Sequence, residues 1–178
     1  MKVADTRRVF FALWPDSDLR EQISESFHYM PQSSLPGRVF KSSNLHLTLH
    51  FIGNISTQKM RCILLAAEKI RLSAFELCID QLGYFPGTQV LWFGPNVIPE
   101  PLLKLHKALG QSLEGCNCSV DKRHFRPHIS LMRKLRQPGD LIQPAALHWP
   151  VDQFVLLESI SHGDGVEYRP VRFFDLTP

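Results

Sequence analysis

The chain has 178 residues, of which 44% are hydrophobic and 21% charged, and its formal net charge is +3. This length is enough for one domain with a sizeable core, or for two small lobes that share one. No apolar run reaches the roughly 20 residues that a membrane-spanning helix needs. We therefore expect a globular protein without a membrane partner, and the small positive charge is weak evidence for an anionic partner.

The N-terminal segment and the cysteines indicate the cellular compartment. Residues 1–9 alternate charged and apolar side chains and lack the apolar core of a secretory signal. Cys62, Cys78, Cys116 and Cys118 are too few for a disulfide framework. Both observations predict a cytoplasmic protein with reduced thiols. No zinc site is expected at 116–118, because a second cysteine pair is missing.

Hydrophobic periodicity predicts a mixture of strands and helices along the chain. Strands are predicted over residues 7–14, 38–41, 46–52, 75–82, 90–93, 128–131, 151–160 and 166–176. Helices are predicted over 17–30, 57–70 and 99–113, and turns at 53–54, 86–87 and 161–165. Residues 137–150 are rich in proline and are predicted to be irregular. Short turns between strands favour an α+β fold with antiparallel sheets and with helices on their outer faces.

One tetrapeptide pattern occurs in each half of the chain. His46-Leu47-Thr48-Leu49 and His128-Ile129-Ser130-Leu131 share the order histidine, apolar, hydroxyl, apolar. In a strand, alternate side chains lie on the same face, so each histidine lies beside its hydroxyl and the aliphatic residues face the other way. Two such strands could form one symmetric site. Paired imidazoles can supply a general base and a general acid, and the hydroxyls can hold an oxyanion, as phosphodiester cleavage requires.

The second motif lies in a basic segment. Its cations are Lys122, Arg123, Arg126, Arg133, Lys134 and Arg136, against the single acid Asp121. Such a cluster would attract an anionic ligand. Arg133 follows the motif directly, where its guanidinium could hold a phosphate with two hydrogen bonds or stack on a base. Lys122, Lys134 and Arg136 are better interpreted as solvated surface residues.

Other ring side chains have competing interpretations. His46/His50 and His124/His128 are spaced by four residues, but in a strand that spacing separates two side chains on one face by roughly 13 Å, so no metal is expected. His28, His106, His148 and His162 are expected at the surface. Phe10 could stack on a base beside the small Ala12, and a place in the core is an equally good interpretation.

These strings resemble those of the two-histidine (2H) phosphoesterase superfamily. The longer strings at residues 8–13, 44–53, 90–94 and 125–133 look like its bacterial LigT-like branch, the RNA 2′,3′-cyclic phosphodiesterases that are also called 2′-5′ RNA ligases. The resemblance implies that residues 1–178 form a single bilobal domain. Two antiparallel sheets would line a central cleft with pseudo-twofold symmetry, and the chemistry would need no metal or other cofactor.

The resemblance also implies roles for individual residues. His46 matches the family's proton donor and His128 its proton acceptor, while Thr48 and Ser130 match the phosphate-holding hydroxyls. Arg133 matches an arginine that contacts the ligand, and Arg126 and Phe10 are further candidates for substrate binding. Ser130 stands where the family more often has threonine, which retains the hydrogen-bond donor. His50 stands where many relatives have a small or apolar residue.

The sequence therefore predicts a monomeric enzyme that hydrolyses RNA-terminal 2′,3′-cyclic phosphates, such as those on tRNA halves, to 2′-phosphates. In the reverse direction a 5′-hydroxyl would form a 2′-5′ linkage. One alternative is a 2H esterase that acts on a 2′-5′ oligonucleotide or a small cyclic nucleotide. The other is an RNA-binding module without activity, although binding alone would not need two imidazoles.

Overall fold

The computed structural model describes residues 6–163 and 165–177. The helices are α1 (Ser17–His28), α2 (Thr57–Ala67) and α3 (Glu100–Gly115), and Pro31–Ser34 and Ser42–Asn44 form short 3-10 turns. The strands are β1 (Thr6–Leu13), β2 (Arg38–Val39), β3 (Leu47–Ser56), β4 (Phe75–Ile79), β5 (Gln81–Phe85), β6 (Val90–Gly94), β7 (Ile129–Arg133), β8 (Leu147–Val151), β9 (Gln153–His162) and β10 (Gly165–Asp175). The last predicted hairpin turn includes residue 164, and the predicted N-terminal segment includes residues 1–5; these positions lie outside the described residues.

Antiparallel pairing organises the strands into two sheets. The larger sheet has the order β10-β9-β1-β3-β7-β6-β5, with β2 beside β7, and β4 and β8 form a separate pair. Within the described residues, β3 and β7 are joined by the single register pair Leu47–Ile129. Each motif thus belongs to its own group of strands, and the two groups meet at the motifs. The predicted α+β class with antiparallel sheets is confirmed.

The helices bury the faces that their periodicity predicts. Leu19, Ile23 and Phe27 of α1 are buried, and α3 buries a leucine at every third or fourth position, which is the spacing of one helical face. Asp16 caps α1 by accepting a hydrogen bond from the Leu19 amide at 2.8 Å. These apolar faces pack on the side of the sheet that holds Leu47 and Ile129, each 0% exposed. The opposite face is therefore available to the polar residues of the motifs.

Three predicted regions differ from the structure by more than the positions of their end residues. The predicted turn at 53–54 is a continuation of β3, which reaches Ser56 with Gly53 at φ +84°. The predicted strand over 75–82 is two strands, because the chain changes sheets at Asp80, where the Asp80 amide donates to the Gly94 carbonyl. Residues within the predicted irregular segment form β8, which pairs with β4. Side chains continue to alternate where the chain passes from one sheet to the other, so periodicity cannot locate the change of sheet at Asp80.

The prediction of four reduced thiols is also wrong for one pair. Cys62 of α2 and Cys116 at the end of α3 form a disulfide, with their Cα atoms 5.9 Å apart. These cysteines are 54 residues apart in sequence, and only the packing of α2 beside α3 brings them together. Cys78 and Cys118 are free thiols. Among the described helices, none is long and apolar enough to cross a membrane.

Candidate active site

The two motifs meet at the pair Leu47–Ile129. In an antiparallel register that pairs these residues, His46 lies opposite Ser130 and Thr48 lies opposite His128. The two histidines are then diagonal neighbours, which places their backbones about 7–8 Å apart. All four polar side chains lie on the face of the sheet opposite to that of Leu47 and Ile129. This arrangement has twofold pseudo-symmetry, and a phosphoryl group could lie between the two imidazoles.

His46 is held in one tautomer. Its Nδ1 lies 2.7 Å from the Asn44 carbonyl oxygen, and a carbonyl can only accept, so Nδ1 carries the proton. In the neutral ring Nε2 is then an acceptor. The Thr48 hydroxyl lies 3.1 Å from Nε2 and donates to it. The Asn44 carbonyl thus fixes the proton on Nδ1 and leaves Nε2 as the nitrogen that can accept or donate a proton in a reaction.

His128 repeats this arrangement. Its Nδ1 donates to the carbonyl oxygen of Arg126 at 2.7 Å, again two positions earlier, and leaves Nε2 as the basic nitrogen. Asn44 and Arg126 thus serve the two motifs through their backbone. Arg126, a predicted substrate-binding residue, has an exposed side chain, and its observed contact is this carbonyl.

Aromatic rings surround each imidazole. Tyr168 lies edge-on to His46, with the ring centroids 4.9 Å apart, and Phe10 lies at the same centroid distance. Phe85 lies edge-on to His128 at 4.9 Å, and Trp92 lies 6.2 Å from it. These contacts make Tyr168, Phe85 and Trp92 site residues that were not predicted from the sequence. The aromatic string at 90–94 was a signal for Trp92, but nothing local to β10 indicates Tyr168.

Phe10 has a different position from the one expected of a base-stacking residue. Its ring is 1% exposed and packs against His46, Phe51 and Tyr168. A ring enclosed in this way has no free face for a base. The structure places the Phe10 ring in contact with the imidazole, where it supports the orientation of His46.

Burial makes both imidazoles weak bases. It lowers the pKa of His46 to about 4; the hydrogen bond to Asn44 opposes this change and the charge of His128 adds to it. Burial also lowers the pKa of His128, and its hydrogen bond to Arg126 again opposes this. Both rings are therefore neutral at pH 7 in the free protein, with Nε2 of each able to accept a proton.

Arginines approach the same site. The Arg133 guanidinium lies over the Phe40 ring at 5.5 Å. Burial raises the pKa of the Tyr168 phenol, and the charges of Arg8 and Arg133 partly offset this rise. Arg8 and Arg133 come from the two different strand groups, so both groups direct positive charge towards the phenol beside His46. An anionic group would be favoured there.

His50 does not share a face with His46. Thr48 pairs with Ala12 and His50 pairs with Phe11, so Leu49 is the extra residue of a β-bulge, which turns the following side chain to the opposite face. There His50 is 4% exposed and its Nε2 donates to the His106 carbonyl oxygen at 2.8 Å. The expectation that His46 and His50 lie on one face is therefore wrong.

His106 is likewise not the simple surface residue that was expected. Its half-buried ring stacks between those of His50 and Phe125, with centroid distances of 4.0 and 3.9 Å. Burial lowers the pKa of His106 to about 4, the charge of His50 adds to this, and Asp121 opposes it. This stack connects α3, β3 and the loop that leads to His128.

We expect acid to destabilise the fold through His46 and His106. Their folded-state pKa values of about 4 lie below the unfolded value of about 6.5, so the stability they confer is fully present above pH 6.5 and is lost as the pH falls towards 4. His106→Phe should retain the stack and reduce the fall in Tm between pH 7 and pH 4.5. His124→Phe, at an exposed position, is the control. An unchanged pH dependence in the His106 variant would contradict this expectation.

A glycine makes room for the ring beside His128. A Cβ at Gly83 would lie 2.1 Å from the Trp92 ring, and Trp92 in turn stacks on Phe85. We therefore expect Gly83→Ala to lower the free energy of unfolding in urea by about 1–3 kcal/mol, since overpacking displaces the indole. The activity should fall as well. Gly87→Ala is the matched control in the same hairpin, because a Cβ there meets nothing within 4 Å; equal losses in both variants would contradict the role of Trp92.

Within the described residues, no group of three or more His, Cys, Asp or Glu side chains could hold a metal ion. The donor atoms of the site are imidazole nitrogens, hydroxyls and guanidinium groups. Such a set can bind a phosphate and transfer protons.

Comparison with known proteins agrees with this geometry. The family model of the 2′-5′ RNA ligase superfamily matches residues 15–163. The chain belongs to this superfamily. The RNA 2′,3′-cyclic phosphodiesterase of Escherichia coli (strain K12) is 31% identical over 98% of this chain and 99% of its own length. The protein of the same name from Thermus thermophilus is 29% identical over 95% of this chain and 90% of its own length.

Solved structures of the superfamily have the same fold. The crystal structure of E. coli LigT complexed with 3′-AMP has a TM-score of 0.89 at 30% identity, and covers 98% of this chain and 100% of that chain. The structure of LigT complexed with phosphate has a TM-score of 0.84. The family resemblance and the fold class predicted from the motifs are thus confirmed.

Proposed function

We propose that this superfamily member hydrolyses RNA-terminal 2′,3′-cyclic phosphates to 2′-phosphates with two histidines and no metal. The observation that carries this proposal is the antiparallel pairing of the two motifs at Leu47–Ile129. It is supported by the relatives named RNA 2′,3′-cyclic phosphodiesterase, which align over nearly the whole chain.

The first step uses the base. We assign this role to His128, whose neutral Nε2 can take a proton from water as the water attacks phosphorus. The Arg126 carbonyl holds the Nδ1 proton and stabilises the imidazolium that forms. Arg133 and Ser130 lie on the same strand, and we assign to them the binding of the non-bridging oxygens, where negative charge develops.

The second step uses the acid. We assign this role to His46, which protonates the departing 3′ oxygen and leaves a 2′-phosphate. The free protein has a neutral His46, but a phosphate anion beside the ring favours the imidazolium. The Thr48 hydroxyl donates to Nε2 in the free protein, and it must turn to a phosphate oxygen before Nε2 can hold a proton. The assignment of donor and acceptor rests on the family resemblance, since the geometry itself is symmetric.

The proposal extends to a second nucleophile, to the oligomeric state and to the RNA substrates. A 5′-hydroxyl that attacked phosphorus in place of water would expel the same 3′ oxygen and form a 2′-5′ linkage. We propose a monomer that acts in the cytoplasm on RNA ends, with tRNA halves among its substrates. Two candidates compete with this function: a 2H esterase for 2′-5′ oligonucleotides or small cyclic nucleotides, and a binding module without activity.

Hydrolysis of 2′,3′-cyclic AMP in the presence of EDTA tests the proposal. We expect turnover that EDTA does not reduce, with 2′-AMP as the product identified by 31P NMR. Formation of 3′-AMP or loss of activity in EDTA would contradict the mechanism. Parallel assays with 2′-5′-linked diadenylate and 3′,5′-cyclic AMP test the other esterase activities, and binding without turnover of any of these would support the binding module.

A further inference from the structure

A row of paired residues leads away from Thr48 along the site face of the sheet. Thr48 of β3 pairs with Ala12 of β1, Ala12 pairs with Val155 of β9, and Val155 pairs with Phe173 of β10. Directly paired residues in antiparallel strands share a face. Phe173 therefore lies on the same face as the motif hydroxyl, at the far end of this row.

An aromatic pair occupies that end. Phe173 is 45% exposed, and its ring is nearly parallel to that of Trp14, with an interplanar angle of 15° and centroids 6.4 Å apart. The Arg20 guanidinium lies 5.1 Å from the centre of the Trp14 ring. Exposed aromatic rings beside an arginine are the usual means by which proteins bind single-stranded nucleic acid, because every base has a face that can stack.

The aromatic pair is continuous with the catalytic residues. Trp14 and Tyr168 both pack against the small cluster formed by Phe10, Ala12, Val155 and Leu157, and Tyr168 contacts His46. Three strand spacings separate Thr48 from Phe173, which amounts to roughly 14–15 Å. This distance is too long for the base attached to a phosphate at Thr48, but it suits the base of a nucleotide farther along the same strand.

We propose that Phe173 and Trp14 form a stacking subsite for a nucleobase that lies 5′ of the nucleotide bearing the cyclic phosphate. The inference rests on the proposed function, and it makes the enzyme selective for RNA ends over free cyclic mononucleotides. Phe173 supplies the exposed face, and Trp14, held between the sheet and Arg20, fixes the orientation of Phe173.

The test compares KM for 2′,3′-cyclic AMP with KM for a triadenylate that ends in the same cyclic phosphate. We expect the wild-type KM to be lower for the triadenylate by about 5-fold or more, as one stacked base would provide. Phe173→Ala should bring the two KM values to about the same level. The separate variant Phe173→Trp, which keeps an aromatic ring, should retain the difference. Leu103→Ala is the matched control, because Leu103 is 43% exposed on α3, and it should retain the wild-type ratio.

Equal KM values in the wild type, or an unchanged ratio in Phe173→Ala, would overturn the subsite. A direct binding measurement keeps this result separate from the proposed reaction. The probe is a 5′-fluorescein triadenylate that ends in a 2′-phosphate, observed by fluorescence anisotropy. If the wild type hydrolysed neither substrate, the proposed function would fail, while weaker binding of this probe to Phe173→Ala than to Leu103→Ala would still support the subsite and equal binding would overturn it.

Discussion

His128→Ala is expected to lower kcat for 2′,3′-cyclic AMP about 10²- to 10⁴-fold, which is the usual contribution of a positioned general base or acid. His46→Ala is expected to have an effect of the same size. Each substitution removes the one Nε2 atom that its motif directs towards the substrate, and the carbonyls of Arg126 and Asn44 cannot replace it. Steady-state hydrolysis measures the loss, and circular dichroism checks the fold.

The matched control for the histidine variants is His148→Ala. His148 is exposed and its Nδ1 contacts Glu76 at 2.9 Å, and it belongs to the separate sheet of β4 and β8, which holds neither motif. Its kcat should be that of the wild type. Wild-type activity in either His46→Ala or His128→Ala would contradict the paired-histidine site, as would an equal loss in all three variants.

Removal of a motif hydroxyl is expected to lower kcat by about 10²- to 10³-fold, the range for one donor that stabilises developing oxyanion charge. Thr48→Val keeps the shape of the side chain, and Ser130→Ala removes little volume. The loss should appear in kcat more than in KM, because the charge on the phosphoryl oxygens grows in the transition state. The measurement is again steady-state hydrolysis of 2′,3′-cyclic AMP.

The two hydroxyl variants have informative controls. Ser130→Thr should retain activity, since it keeps the donor and adds only a methyl group to a stiffer side chain. Thr57→Val changes an exposed threonine at the start of α2 and should have no effect on kcat. An increase in KM alone for Thr48→Val and Ser130→Ala would show that the hydroxyls bind the ground state and the transition state equally, and would contradict their stabilisation of developing oxyanion charge.

The catalytic motifs could be predicted from the sequence because their signal is local. Histidine and hydroxyl at alternate positions determine one face of a strand, whatever the rest of the fold. The sequence does not contain the register that brings Leu47 beside Ile129, since this pair joins strands from different halves of the chain. The repeated pattern suggested one shared site and the resemblance implied it, but neither gave the register, which the structure supplies.

The residues that the sequence misassigned depend on irregular pairing or on distant contacts. A bulge at Leu49 sends His50 to the helix-covered face, and a strict period of two cannot detect one inserted residue. Tyr168 reaches His46 from β10, and Cys62 reaches Cys116 from another helix. In each case the partner is distant in sequence, so neither propensity nor spacing indicates the contact.

The central claim of the proposed mechanism is that His46 is the general acid and His128 the general base. A substrate with sulfur in place of the bridging 3′ oxygen tests this assignment most directly. A thiolate leaves without protonation, since thiols ionise near pH 8.5. We predict that His46→Ala recovers most of its lost rate on this substrate and that His128→Ala does not. Recovery by His128→Ala instead would reverse the donor and acceptor, and recovery by neither variant would contradict the assignment of a general acid to this site.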